Sequence, residues 1–252
     1  MDFKKIKALM IDIDDTITRF KMDAEGKPVI DPNTSSLFTI LQSAGVHMAG
    51  LAPEVAAARI AKIQKEMMWW HWSDFIVALE LDPKAFWDFA YETERHYLEA
   101  TGNEIRPALE RLRSAGILLY ITSNNPSSGI LHKLRLAGVG HVNGAPLFHQ
   151  ILGPPEIQAM KWDQIYWKKV LAHAALRGSE TAVVGDSPRD DYEMPHSVGI
   201  AGTFLINRSQ DLSAQDTESL IHVQNFDQIA DRMLMAGTPP PAKRTKPKGK
   251  RS

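Results

Sequence analysis

The 252-residue chain contains no cysteine. That excludes disulfides, thiolate nucleophiles and zinc sites built on sulfur. No apolar run is long enough to span a bilayer. The amino terminus shows no signal-peptide pattern, because the apolar run after Lys4, Lys5 and Lys7 is short and ends in acids. These absences point to a cytoplasmic protein without a membrane partner. Net charge is scarce too, at −1, but it is unevenly spread. Residues 237–252 carry Lys243, Arg244, Lys246, Lys248, Lys250 and Arg251 and no acid, so the rest of the chain stands at −7. Such a Pro-, Lys- and Gly-rich tail is expected to be disordered. It could give weak, salt-sensitive contacts to nucleic acid or an acidic partner. No recognition motif accompanies it, so nucleic-acid binding is the lesser expectation.

What is present is a repeated pattern: a short apolar run that stops at polar residues. Ile6 to Ile11, broken only by Lys7, ends in Asp12, Asp14, Asp15 and Thr16. Such a run suits a strand buried on both faces, with its acids in a cleft at the strand's end. Asp12 and Asp14 are two apart and share a face of an extended chain. Close carboxylates repel, and a divalent cation relieves them. Ile117 to Thr122 ends at Ser123, Asn124 and Asn125. Thr181 to Val184 ends at Gly185, Asp186, Asp190 and Asp191. Taken singly, each end also reads as an ordinary polar turn.

Between the first and second runs, the order reads as a hairpin and then helices. Asp23-Ala-Glu-Gly26 centres the hairpin, and 31–36 starts a helix continued by Leu37, Ile40 and Leu41. A second helix covers 53–68, and a third begins at Asp82-Pro83. Residues 33–100 show no convincing strand. They hold four of the six tryptophans, Trp69, Trp70, Trp72 and Trp87, which read as helix packing or as a substrate wall. Beyond Glu104, helices alternate with strands at 117–122, 146–152, 181–184, 203–206 and 221–223, with one helix over 162–176. Alternation of this kind predicts an α/β fold, a doubly wound parallel sheet. Ligands in such sheets bind beyond the carboxyl ends of the strands.

With the strand ends in view, the chain resembles the haloacid dehalogenase superfamily of phosphohydrolases. Asp12-Ile-Asp14-Asp-Thr16, Ser123-Asn124, Lys161 and Gly185-Asp186 followed by Asp190 or Asp191 occur in the family's order. The likeness covers roughly residues 5–235. Asp15 stands where many members have Gly, and Trp162 follows Lys161 where Pro is usual. The resemblance implies a core of 1–18 and 101–236, with a flap hairpin and helical cap at 19–100. It implies Mg²⁺ held by Asp12, Asp14 (through its carbonyl), Asp186 and Asp190, the spacing favouring Asp190 over Asp191. Asp12 is then the nucleophile and Asp14 the acid–base. Thr16, Ser123, Asn124 and Lys161 attend the phosphoryl group. The implied substrate is a small soluble phosphate ester, hydrolysed through an aspartyl phosphate, and the aromatic content admits a nucleotide or other aromatic leaving group. A phosphomutase using the same Asp pair is the alternative, and a metal-free dehalogenase leaves Asp14 and Asp186 unexplained.

Overall fold

The computed structural model describes residues 1–31, 37–142, 145–210 and 212–235. The expected helix start at 31–36 falls largely outside these residues, and the basic tail wholly so. Strand β1 (Ala8–Ile11) is buried along its whole length, as a four-residue apolar run between two layers must be. Strand β2 (Thr18–Phe20) leaves the acidic loop. At Asp23-Ala-Glu-Gly26 the Asp23 carboxylate accepts from the amides of Glu25 and Lys27. This turn closes a single Met22–Pro28 bridge rather than a two-stranded hairpin.

Helices α1 (Leu37–His47), α2 (Pro53–Glu66), α3 (Trp72–Ala78) and α4 (Pro83–Glu94) follow. Pro53 and Pro83 stand in first turns, where a missing N–H costs no helical bond. Asp82 caps α4 by accepting from the Ala85 amide. Ile40, Leu41, Ile60, Phe75, Leu79 and Phe86 converge in a core belonging to these helices alone. Phe86→Ala is expected to cost about 3–5 kcal/mol, the range for deleting a fully buried aromatic ring. Urea denaturation checks it, and a loss under about 1 kcal/mol would mean that the block is not packed around this ring.

The chain returns through strand β3 (Leu98–Ala100), which pairs antiparallel with β2. The reading of 33–100 as strandless is thereby corrected. Leu98-Glu-Ala is too short to show an alternation, and its partner lies some eighty residues away, so local sequence carries no sign of it.

The remaining elements build the large layer. They are α5 (Ile105–Ser114), β4 (Leu118–Thr122), α6 (Ser127–Leu136), β5 (His141–Val142), β6 (Ala145–Pro146) and β7 (Gln150–Leu152). There follow α7 (Pro154–Ile157), α8 (Gln164–His173), β8 (Thr181–Gly185), a π-helical turn (Pro188–Glu193), α9 (Met194–Ser197), β9 (Gly202–Ile206), β10 (Leu220–Val223) and α10 (Phe226–Met235). The expected strand at 146–152 divides between β6 and β7. The helix expected over 162–176 is shorter, because Asp163 caps it and Ala175 turns left-handed at φ 53°.

β10-β9-β8-β1-β4-β7 form one six-stranded sheet, parallel throughout. Leu9, Ile11, Leu119 and Ile121 face α5 and α10 on one side. Met10, Tyr120 and Val183 face Tyr166 and Trp167 of α8 on the other. This is the doubly wound α/β sheet that the alternation predicts. The carboxyl ends of β1, β4 and β8 are thus side by side. Among the described residues no helix is long and apolar enough to cross a membrane.

Candidate active site

The acidic loop starts as a continuation of β1, the Asp12 amide donating to the Val184 carbonyl at 2.9 Å. Ile13 and Ile17 are fully buried, so the alternating positions Asp12 and Asp14 turn toward the cleft. The Ile17 and Thr18 amides both close onto the Ile13 carbonyl, which curls the loop tightly. Asp15 takes φ 50°, the left-handed region that Asp tolerates better than most side chains. Arg208 secures the outside of the curl. Its guanidinium donates to the Asp15 carbonyl at 2.6 Å, the Thr16 carbonyl at 2.8 Å and the Thr101 hydroxyl at 2.8 Å.

Asp12, Asp186 and Asp191 each offer an oxygen within 4.8 Å of the others, and this triad could hold a metal ion. The residue that joins Asp12 and Asp186 is Asp191, not Asp190 as the spacing suggested. The π-helical turn decides this. The Ser187 hydroxyl accepts from the Asp190 amide, and the Ser187 amide donates to the Asp191 carboxylate at 3.1 Å. Asp191 is fully buried, whereas Asp190 stays half-exposed at the rim with the Asn124 side-chain amide at 3.4 Å. Gly185 is the matching signal in the sequence. A Cβ there would sit 2.1 Å from the Asp191 carboxyl carbon, so only glycine admits the inward aspartate.

Lys161 sits among these acids, 3% exposed, with its ammonium 2.6 Å from both Asp12 and Asp191. Burial opposes its charge, but the two carboxylates outweigh burial and hold it protonated. Its backbone is fixed at both ends. Its amide donates to Asn124 Oδ1 at 2.8 Å, and its carbonyl accepts from Trp167 Nε1 at 3.1 Å. One lysine does not balance three carboxylates. Burial, only partly offset by Lys161, pushes Asp12 well above the usual carboxylate range. Burial and the neighbouring Asp191 push Asp186 up to about 7. An all-oxygen donor set with this excess of negative charge fits a hard divalent cation.

The other expected residues fall as follows. Ser123 is buried, and its oxygen accepts from the Asn125 amide and side chain at 3.1 and 3.0 Å, leaving its O–H to donate. Thr16 is fully buried and its hydroxyl lies 3.5 Å from Asp186, so it braces the triad from behind. Asn124 spends its amide on Lys161 and Asp190, which ties β4 to the other strand ends.

Two residues missed in the sequence hold Asp14. The Lys133 ammonium lies 2.5 Å from one carboxylate oxygen, and Asn125 Nδ2 is 2.5 Å from the other. Burial alone would raise Asp14, but Lys133 and Asn125 more than reverse it and keep the group ionised. A signal for Lys133 existed: it lies on the apolar stripe of α6 with Ile130 and Leu134. A lysine on a buried stripe needs a partner. Its neighbour His132 meets Glu94 of α4 at 2.7 Å, which joins the helical block to the sheet layer beside Asp14. Above Asp14 a cavity of about 320 Å³ opens between the two layers.

A parallel sheet that gathers three acidic or polar strand ends around a buried lysine is the frame on which one family of hydrolases is built, and the sequence matches that family. The haloacid dehalogenase-like hydrolase family model matches residues 6–199, and the chain belongs to that family. Among solved structures it is similar to a haloacid dehalogenase phosphatase from Thermococcus onnurineus, at 22% identity and a TM-score of 0.59 over 91% of this chain and 98% of that one. It is also similar to a 2-haloacid dehalogenase from Pseudomonas syringae pv. Tomato DC3000, at 19% identity and a TM-score of 0.58 over 91% and 98%. A predicted phosphoglycolate phosphatase of Haemophilus somnus 129pt matches at 15% identity and a TM-score of 0.51 over 92% and 98%. At these identities the likeness carries the fold, and phosphatases and dehalogenases share it. No curated protein matches the sequence.

Proposed function

We propose that this hydrolase is a Mg²⁺-dependent phosphatase that cleaves a small phosphate monoester through an aspartyl phosphate on Asp12. The observation that carries the reading is the convergence of Asp12, Asp186 and Asp191 around Lys161, with Asp14 mounted separately beside them. Asp12, Asp186 and Asp191 would hold the ion. When bound, Mg²⁺ supplies charge neutralisation for the carboxylates and the phosphoryl oxygens.

Asp12 attacks phosphorus, the bond to the leaving oxygen breaks, and an acyl phosphate forms on the carboxylate. Lys161 donates to Asp12 and pairs with Asp191 by charge, and an ammonium with three N–H groups has a further one to give to a phosphoryl oxygen. The Ser123 O–H is a second donor. Fixed donors of this kind act on the charge that spreads over the equatorial oxygens in the transition state. Asp14 gives a proton to the leaving oxygen and then removes one from the water that cleaves the acyl phosphate. It begins as a carboxylate and takes up this proton from solvent as the phosphate dianion arrives, because like-charge repulsion raises its proton affinity. The helical block acts as a cap that excludes water from the acyl phosphate.

Halide departure needs neither a proton nor a metal, so a dehalogenase would leave Asp14 and Asp186 together without a task. Purified protein is expected to release phosphate from p-nitrophenyl phosphate and acetyl phosphate with Mg²⁺. EDTA should abolish the activity and excess Mg²⁺ should restore it. Full activity in EDTA, or halide release from 2-chloropropionate in place of phosphate release, would overturn the reading.

A further inference from the structure

The cavity above Asp14 differs in character from the acidic cleft below it. Five aromatic side chains form one side of it, Phe20 of β2, Tyr97 just before β3, and Phe38, Trp70 and Trp72 from the helical block, facing a polar side that includes Asp14, Asn124, Asn125 and Lys133. The rings brace one another. Phe38 meets Trp70 edge-on at 4.9 Å and Trp72 at 5.1 Å, and Phe20 stacks on Tyr97 at 5.9 Å. Trp70 also meets Trp162 edge-on at 5.3 Å, immediately after Lys161, so the wall is tied to the catalytic layer. The braced rings surround about 320 Å³ of space rather than filling it.

Two atoms in these walls are unexplained by packing. Trp72 Nε1 and the Tyr97 hydroxyl are buried and have no hydrogen-bond partner among the described residues. Their residues are 5% and 6% exposed. An indole N–H can only donate, and burial keeps the Tyr97 phenol protonated, so it too has a proton to give. Buried donors of this kind are normally satisfied; both atoms are closed to water here, so an acceptor in the cavity reaches them by a shift of the side chain that carries them. The cations in the walls are already engaged, and Asp15 stands beside Asp14 as a further anion. Lys133 holds Asp14, Arg19 lies 3.1 Å from Glu99, and Glu94 meets His132.

We infer that this cavity is the leaving-group subsite, and that it takes a planar aromatic ring carrying a hydrogen-bond acceptor. The inference rests on the phosphatase reading above and names its substrate class: ring-bearing phosphate monoesters. A flat ring gains area against aromatic walls while ordering few torsions. Its acceptor meets Trp72 Nε1 and the Tyr97 hydroxyl. A polyhydroxylated sugar would press part of its hydroxyls against the ring faces, which offer no acceptor and no donor beyond those of Trp72 and Tyr97. An anionic tail would face Glu94 and find both nearby cations taken.

The test uses five matched esters: 2-phenylethyl phosphate, 2-cyclohexylethyl phosphate and the three isomers of 2-pyridylethyl phosphate. Their alcohols are similar in acidity, so differences in kcat/KM report the cavity rather than the chemistry. Phenyl should exceed cyclohexyl, and at least one pyridyl isomer should exceed phenyl by about tenfold, the worth of a well-made hydrogen bond. Tyr97→Phe keeps its ring and Trp72→Phe keeps a smaller aromatic ring, and each removes one donor. In at least one of them the pyridyl-to-phenyl ratio should fall toward one. The product alcohols should quench tryptophan fluorescence in the same order without metal. Equal rates for phenyl and cyclohexyl, or a pyridyl preference unmoved in both variants, overturns the inference. Acetyl phosphate separates the two levels, because its leaving group is too small to reach these walls. If acetyl phosphate is cleaved and the panel is flat, the subsite fails and the phosphatase stands. If no ester is cleaved, acetyl phosphate included, both fail.

Discussion

Asp12→Asn is expected to lower turnover by on the order of 10⁴–10⁶-fold, the scale seen when a covalent nucleophile is deleted. An amide matches the carboxylate in shape, so the Val184 ladder bond and the buried position of residue 12 should survive. The variant nonetheless loses three things at once. It cannot attack phosphorus, it is a poor ligand for a hard cation, and it no longer shares the Lys161 ammonium with Asp191. Circular dichroism and the urea midpoint should stay near those of the parent, because the acidic triad was a burden on the fold rather than a support. Steady-state hydrolysis of p-nitrophenyl phosphate measures the rate. A variant that keeps more than about 1% of activity removes Asp12 as nucleophile, since no covalent route tolerates such a loss so lightly. Asp190→Asn provides the contrast, because Asp190 lies at the rim, and its effect should be small beside that of Asp12.

The parts of this site that were legible in the sequence share one physical property. β1, β4 and β8 are buried on both faces, so their apolar runs end sharply, and the polar residues at those ends mark one edge of the sheet. The resemblance to the family's motif order then connected Asp12, Ser123, Lys161 and Asp186 without any contact being visible. What stayed hidden depends on geometry that spacing does not encode. A single π-helical turn rotates Asp191 inward and Asp190 outward, and only Gly185 hinted at it. Arg208 reaches back across nearly two hundred residues to close the acidic loop from a segment with no pattern of its own. β3 exists only because β2 does. The tryptophans could be counted, but whether they packed a helix core or lined a cavity was undecidable. They do both, since Trp72 is buried among the helices and also forms a wall above Asp14.

Asp14→Asn is expected to separate the two half-reactions, with a loss that depends on the leaving group. The substitution keeps Asp12, Lys161 and the acid triad, and within the reaction it removes proton transfer. General acid–base help is worth about 10²–10⁴-fold. An alkyl phosphate needs a proton on its departing oxygen, so it should lose the full factor. Nitrophenolate leaves without one, so the first step on p-nitrophenyl phosphate should be slowed little. The second step still needs a base for water, and slow dephosphorylation should let the acyl phosphate accumulate. Intact-mass measurement would then show one added phosphoryl group, mapped to the peptide holding Asp12. The surroundings of residue 14 sharpen the expectation. Lys133 and Asn125 each hold one carboxylate oxygen at 2.5 Å, so the neutral amide leaves the buried Lys133 without its counter-charge. Lys133→Met combined with Asp14→Asn should therefore recover part of any stability lost by Asp14→Asn alone, because the orphaned ammonium is gone. In the parent enzyme, the alkyl phosphate rate should fall as pH rises through the point where Asp14 can no longer hold its proton, while the nitrophenyl rate should not. Equal losses for alkyl and nitrophenyl esters in Asp14→Asn, with no phosphoryl group trapped, would take the acid–base role away from Asp14 and leave it as a positioning group alone.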